Sequence, residues 1–246
     1  MAKTLVIVGA GPGLGMGVAR AFGREGFRVG LVARNEKTLS AMVGELSGLG
    51  VTAAAFPADI RDRDALTRAL CGAEEELGPV DVLEYSPGPS GPITDAVQTT
   101  AASAAEQFEL HVLGAVTAVG HVLPGMRERG TGTLLLTTGV SSAIAAPFLA
   151  NVGLAMAGLR NWALSLHAQL RPQGIHAATV TIATRVVPGD EVGDPGVIGA
   201  RYAGLYGQPD RAEEVIGDPE AFRGFVAEWA ESQGRPPEAD LRENHP

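Results

Sequence analysis

Five glycines fall within nine residues in the stretch GAGPGLGMG, positions 9–17, directly after the apolar run TLVIV. The helical pattern that follows begins at Leu14. A helix N-terminus leaves its first N–H groups unpaired, and together with the helix dipole these hold a phosphate. The strict G-x-G-x-x-G spacing is absent, since the registers starting at 9, 11 and 13 reach Leu14, Met16 and Val18 at the sixth position. The spacing G-x-x-x-G-x-G fits instead, at Gly9, Gly13 and Gly15. This reads as a pyrophosphate cradle built on Gly9, Gly13, Leu14 and Gly15. The alternative is a glycine turn with no ligand.

Other candidate cofactor-binding residues stand at the ends of later apolar runs. Arg34 and Asn35 follow FRVGLVA, Asp59 and Ile60 follow VTAAAF, and Ser86 and Gly88 follow VDVLEY. In sites selective for NAD an acid after the second strand bonds the ribose 2′-hydroxyl; arginine pairs with a 2′-phosphate instead. The cofactor expected is therefore NADP(H) rather than NAD(H). Asn35 is also a candidate N-cap for the helix after it, and Asp59 for one starting near 61.

For proton transfer the candidates are His111, whose imidazole titrates near neutrality, and Tyr85 at the tip of the fourth strand. Thr138, Ser141 and Ser142 in TTGVSS are candidate hydrogen-bond donors to a carbonyl, or turn hydroxyls bonded to backbone. The five histidines, 111, 121, 167, 176 and 245, show no metal-ligand spacing with each other or with Cys71. No metal is expected.

These residues need a scaffold. Short apolar runs at 4–8, 27–33, 51–56, 80–85, 132–138 and 175–183 alternate with helical patterns at 14–24, 35–50, 61–77, 101–128 and 148–171. Continuous apolar strands with amphipathic crossovers specify a parallel sheet covered on both faces. The fold class is α/β, a single-domain, Rossmann-like, doubly wound sheet, whose ligands sit at the carboxyl ends of the strands. After 184 the pattern decays into a Pro/Gly/acid loop, with short helices near 197–206 and 218–231. The domain reads as 1–232, with 184–216 as a substrate or lid segment and 233–246 as a flexible tail.

With 246 residues, 45% hydrophobic, and a net charge of -9, the composition is that of a globular chain that repels nucleic acid and anionic membranes. No run reaches the length of a membrane span. One cysteine, Cys71, allows no internal disulfide and suits the cytoplasm; it is expected as a small buried side chain in a helix.

The glycine spacing, the length and the strand pattern together resemble the short-chain dehydrogenase/reductase family over about 5–182. The resemblance implies a dinucleotide-dependent oxidoreductase acting on a small carbonyl, alcohol or imine, with Asp59 and Ile60 against adenine. It also implies a homodimer or homotetramer paired through the helices at 101–128 and 148–171. The active-site motifs depart from the family. Its N-N-A-G reads YSPG at 85–88, its N-x-x-G reads HVLG at 111–114, and its Pro-Gly turn after strand six would fall near Ala183–Thr184, where the next Pro-Gly is Pro188-Gly189. Its Tyr-x-x-x-Lys pair would fall on Val152 and Met156, or with a one-residue slip on Asn151 and Ala155. No tyrosine occurs between 86 and 201, and no lysine after Lys37. A positioned general acid contributes about 10²–10⁴-fold, so hydride transfer would be weakened rather than abolished. The alternatives are a non-redox enzyme on the same scaffold, or a non-catalytic NADP(H)-binding sensor or partner subunit.

Overall fold

The computed structural model describes residues 2–88 and 90–233; the tail expected at 233–246, with His245, lies outside them except for Gln233, which ends the last helix. Seven parallel strands form one sheet in the order β3-β2-β1-β4-β5-β6-β7. They are β1 (Thr4–Val8), β2 (Arg28–Ala33), β3 (Ala53–Pro57), β4 (Val82–Tyr85), β5 (Gly132–Gly139), β6 (Ile175–Ala183) and β7 (Glu213–Gly217). The helices are α1 (Leu14–Arg24), α2 (Glu36–Gly48), α3 (Arg63–Leu77), α4 (Ala101–Phe108), α5 (Gly114–Arg129), α6 (Ala150–Leu170), α7 (Pro195–Tyr206) and α8 (Pro219–Gln233).

Alternation along the strands feeds two cores. Val82 and Leu135 pack with α1, α2 and α7; Leu83, Leu134 and Leu136 pack with α3, α5 and α6. The same parity sends Glu84 and Thr137 toward α1 and α7, and Tyr85 and Thr138 toward α5 and α6. Strand order reverses at β1, which pairs with β2 on one side and β4 on the other. That crevice at the carboxyl ends of the strands is where ligands bind in such sheets.

Four expectations change. The helix read as 101–128 is broken by a π-helical turn at Glu109–Leu113, a wider winding that leaves no signature in the hydrophobic pattern. A seventh strand lies inside the segment read as a lid, with Thr179 opposite Glu213 and Ala183 opposite Gly217. Its acidic start hid it. The side chain that caps α3 is Asp62, which accepts from the Ala65 N–H; Asp59 instead turns back to accept from the Arg61 N–H at 3.0 Å. Cys71 is exposed, because the buried stripe of α3 runs through Leu66, Ala69, Leu70, Ala73 and Leu77 and misses it.

The α7 helix is no free lid either. Asp194 caps it, accepting from the Gly196 N–H at 2.7 Å, and it crosses α1 at glycines. A Cβ on Gly199 would lie 2.2 Å from the Gly17 carbonyl oxygen, and one on Gly17 1.9 Å from that of Pro195. Backbone cannot yield as a side chain can, so Gly199→Ala is expected to lower the unfolding free energy by about 2–3 kcal/mol. Gly204→Ala, on the same helix with nothing within 4 Å, should raise it by about 0.5–1 kcal/mol. Urea unfolding of the two variants checks the contrast.

Candidate functional site

The glycine stretch leaves β1 in a turn that only glycine can make. Gly9 has φ +94°, and a Cβ there would lie 2.5 Å from the Pro87 nitrogen. The turn is held by the Gly9 and Ala10 N–H groups, which donate to the Val32 carbonyl at 2.9 and 3.0 Å. Gly13 then stands at the N-cap of α1 with no side-chain cap. Among the described residues, no acceptor meets the N–H groups of Gly13, Leu14 and Gly15. Unpaired donors at a helix N-terminus are what an anion needs. Gly11 has open space where a Cβ would be, and Val186 from the loop after β6 comes within 3.7 Å of such an atom on Gly13.

Beside the cradle is a cavity of about 210 Å³ lined by Gly9, Ala33, Arg34, Asn35, Asp59, Ile60, Pro87, Gly88 and Leu110 among others. Arg34 is exposed at its rim and shares a surface depression with Asn35, Glu36 and Lys37. Asn35 caps α2, its side chain accepting from the Thr38 N–H at 3.0 Å. The residues expected from sequence to hold a dinucleotide thus lie together, with one exception. Ser86 does not line the cavity, because its hydroxyl turns inward and donates to Glu84 at 2.8 Å. A larger depression of about 710 Å³ lies at the opposite end of the sheet, against Lys3, Phe22 and Tyr206. Its loop amides at Glu25, Gly26 and Phe27 are paired with the Phe22 and Gly23 carbonyls, so chemistry rather than size locates the site.

The proton-transfer candidates fare differently. Tyr85 is removed: it is fully buried in the core, and its hydroxyl donates to the Leu110 carbonyl in the π-helical turn. Gly114 makes room for that hydroxyl, and burial pushes the phenol well above its ordinary range. His111 is also fully buried, and neither ring nitrogen meets a partner among the described residues. Burial, and then the charge of Arg61, lower its pKa to about 4. The expectation that it titrates near neutrality is therefore corrected: at pH 7 it is a neutral imidazole with one N–H to donate.

Thr138 faces inward too. Its hydroxyl lies 3.2 Å from that of Thr179 and 3.0 Å from that of Thr181, and accepts from Ser142 at 3.3 Å. Thr181 donates to Glu213 at 2.8 Å, and Arg160 clamps the same carboxylate at 2.8 and 2.5 Å. Ser141 is the exception: half-buried next to Gly139, it makes no hydrogen bond among the described residues. On α6 the side chains of Asn151, Val152, Ala155 and Met156 are buried. Asn151 serves structure, accepting from the Thr94 N–H at 3.0 Å and donating to the Pro92 carbonyl at 2.9 Å.

Sequence reasoning passed over Glu84. It is fully buried in β4, and its carboxylate accepts from Thr137 and Ser86, each at 2.8 Å. Burial raises its pKa to about 7 against the opposing pull of those two hydroxyls. An acid inside the apolar run VDVLEY was the available signal.

The fold and site thus define a doubly wound sheet with three unpaired backbone amides near its switch point. A family model described as short chain dehydrogenase matches residues 3–187, and the chain belongs to that family. A short chain dehydrogenase of Pseudocercospora fijiensis is 29% identical over 175 residues, 70% of this chain and 56% of its own length. Ketoacyl reductase HetN of Nostoc sp. is 28% identical over 178 residues, 72% of this chain and 62% of its own. The chain therefore spans less than two thirds of the length of these curated relatives. Among solved structures, a short-chain dehydrogenase from Rhodopseudomonas palustris has a TM-score of 0.78 at 25% identity, over 88% of this chain and 98% of that one. A variant of actinorhodin polyketide ketoreductase, solved with NADPH, has the same TM-score of 0.78 at 23% identity, over 87% and 95% of the two chains. Among the described residues no helix is long and apolar enough to cross a membrane.

Glu84 sets a stability test. Its folded pKa lies above the unfolded value, so its contribution is present in acid and is lost as pH rises from about 4.5 to about 7. A shift of that size corresponds to roughly 3 kcal/mol. Relative to Glu84→Gln, the wild-type unfolding free energy should fall by about that amount between pH 4.5 and 8, as read by denaturant titration at each pH.

Proposed function

We propose that the protein is an NADP(H)-dependent oxidoreductase of the short-chain type, acting on a small carbonyl, alcohol or imine. The observation that carries this is the cradle: three unpaired amides at the start of α1, behind a glycine turn no other residue could make, with Arg34 and Lys37 beyond the adjoining cavity. The donor set fits a dinucleotide. Gly13, Leu14 and Gly15 would hold the pyrophosphate, Asp59 and Ile60 would flank the adenosine half, and Arg34 with Lys37 would meet a 2′-phosphate. The relative solved with NADPH supports the same assignment. When bound, the nicotinamide supplies or accepts the hydride.

The substrate oxygen needs polarisation, and α6 carries neither tyrosine nor lysine. With Tyr85 and Thr138 turned inward and His111 fully buried, the group left is the Ser141 hydroxyl. It is a hydrogen-bond donor of the kind that stabilises developing negative charge without titrating. The final proton then comes from water, and turnover is slow for the family. The missing pair also favours a second reading, a binding or non-redox protein on the same scaffold.

Exposed apolar side chains on two helical segments support self-association: Leu113 and Val116 on one, and Leu154 on α6. We propose pairing through these faces. Sedimentation should report a dimer or tetramer that Leu154→Asp dissociates; a wild-type monomer contradicts it.

Nicotinamide fluorescence titrations test the main reading. NADPH should bind much more tightly than NADH, and Arg34→Ala should weaken NADPH alone by about 10–100-fold, the worth of a charge-assisted hydrogen bond. Ser141→Ala should cost about 10²-fold in kcat. Equal binding of the two cofactors overturns the preference, and binding without any turnover favours the non-redox reading.

A further inference from the structure

Glu84 is fully buried in β4 between Ile7 of β1 and Leu135 of β5; two hydroxyls bond it and a third stands behind one of them. Thr137 donates to one carboxylate oxygen and Ser86 to the other, each at 2.8 Å. The Tyr202 hydroxyl on α7 lies 2.7 Å from that of Thr137. A carboxylate only accepts, and Thr137 has spent its one proton on it, so Tyr202 must donate to Thr137. Every hydroxyl proton in the cluster therefore points toward Glu84.

Ser86 is a half-buried member of the cluster that stands next to the cavity lining without being part of it in this inward rotamer. Its N–H donates to the Val8 carbonyl at 2.9 Å. Its carbonyl carbon would lie 2.8 Å from a Cβ on Gly9, and the next two residues, Pro87 and Gly88, line the cavity. One rotor separates an inward from an outward proton. If Glu84 carries a proton on the oxygen that faces Ser86, it donates to the Ser86 hydroxyl oxygen, and the Ser86 proton is freed to turn out.

We propose that Glu84 is a positioning residue for the dinucleotide: ionised, it holds the Ser86 proton inward; protonated, it releases that proton to the cleft, so cofactor binding takes up a proton at Glu84. This rests on the dinucleotide reading above. Two effects share one sign. Protonation adds a donor facing the ligand, and it removes a buried negative charge from the neighbourhood of a polyanion. Burial brings Glu84 into a range where this matters, with a pKa of about 7. Its surroundings supply no rival titrating group. β1 and β5 place Ile7 and Leu135 beside it and carry no ionisable side chain. On α1, Arg20 is paired outward with Glu45 and Arg24 is exposed. On α7, Arg201 is paired with Glu214, and Tyr202 is pushed upward by burial and then by the charge of Glu84 itself.

The test is NADPH affinity of the wild type and Glu84→Gln between pH 6 and 8.5, with calorimetry in two buffers of different ionisation enthalpy. The glutamine amide can donate to Ser86 while its oxygen accepts from Thr137, which copies the protonated form. The NADPH 2′-phosphate titrates near pH 6, so the quantity compared is the ratio of the two dissociation constants at each pH. That ratio should be near one at pH 6 and rise to about tenfold at pH 8.5, with buffer-dependent proton uptake in the wild type that the variant lacks. Ser86→Ala, which keeps Glu84, should lose the donor part of the coupling and retain only the charge part, so that after the same correction its affinity changes with pH by clearly less than the wild type's. In the cofactor-free protein, the carboxylic acid infrared band absent from Glu84→Gln should titrate near neutrality. A ratio that does not change with pH, or a Ser86→Ala protein with wild-type coupling, overturns the proposal while the cofactor reading stands. Failure of NADPH to bind either protein at any pH overturns the cofactor reading and this proposal with it.

Discussion

The close approach of the β4 exit to the Gly9 turn is the constraint on which the site depends. Gly9 at φ +94° lets the chain leave β1 and bend toward β2, whose Val32 carbonyl accepts two of its amides. Pro87 can then lie against it from the other side. Because β1 is the strand at which the sheet order reverses, this contact closes the floor of the crevice. It also aims the N-terminus of α1 outward. Any side chain at position 9 would force β4 and β1 apart at their tips and turn the amides of Gly13, Leu14 and Gly15 away from a common point.

The second organising feature is how hydroxyls are spent. Thr137, Thr138, Thr179, Thr181, Ser86, Ser142 and Tyr202 all sit at or near the carboxyl edge, yet their protons run inward to Glu84 or Glu213. Polar groups this deep must be satisfied, and the buried Glu84 and the half-buried Glu213 do it. The edge of the sheet is in consequence rigid and poor in free donors, which makes the unspent Ser141 conspicuous. On α6, Val152 and Met156 pack into the core and Asn151 pins the loop after β4.

Much of this was readable in the sequence, for definite physical reasons. Six of the seven strands are continuous apolar runs, because each is covered on both faces. The cradle residues and Arg34 stand at strand ends, where topology alone assigns them to the crevice. β7 escaped because EEVIG opens with two acids, and only the structure shows Glu214 buried against Arg201 and Arg211. Tyr85 was misjudged although strand parity was available: it points to the face opposite Glu84, into the core with Leu110. The π-helical turn had no sequence signal. It decides both the partner of Tyr85 and the burial of His111, so neither role could be read from residue type.

The most direct measurement of the central claim is amide hydrogen exchange with and without saturating NADPH. New protection is expected in residues 9–17 and 33–37, where unpaired amides and Arg34 would meet the phosphates, with little change at the opposite end of the sheet. Unchanged exchange across 9–17, or protection confined to the depression around Lys3 and Tyr206, would contradict it.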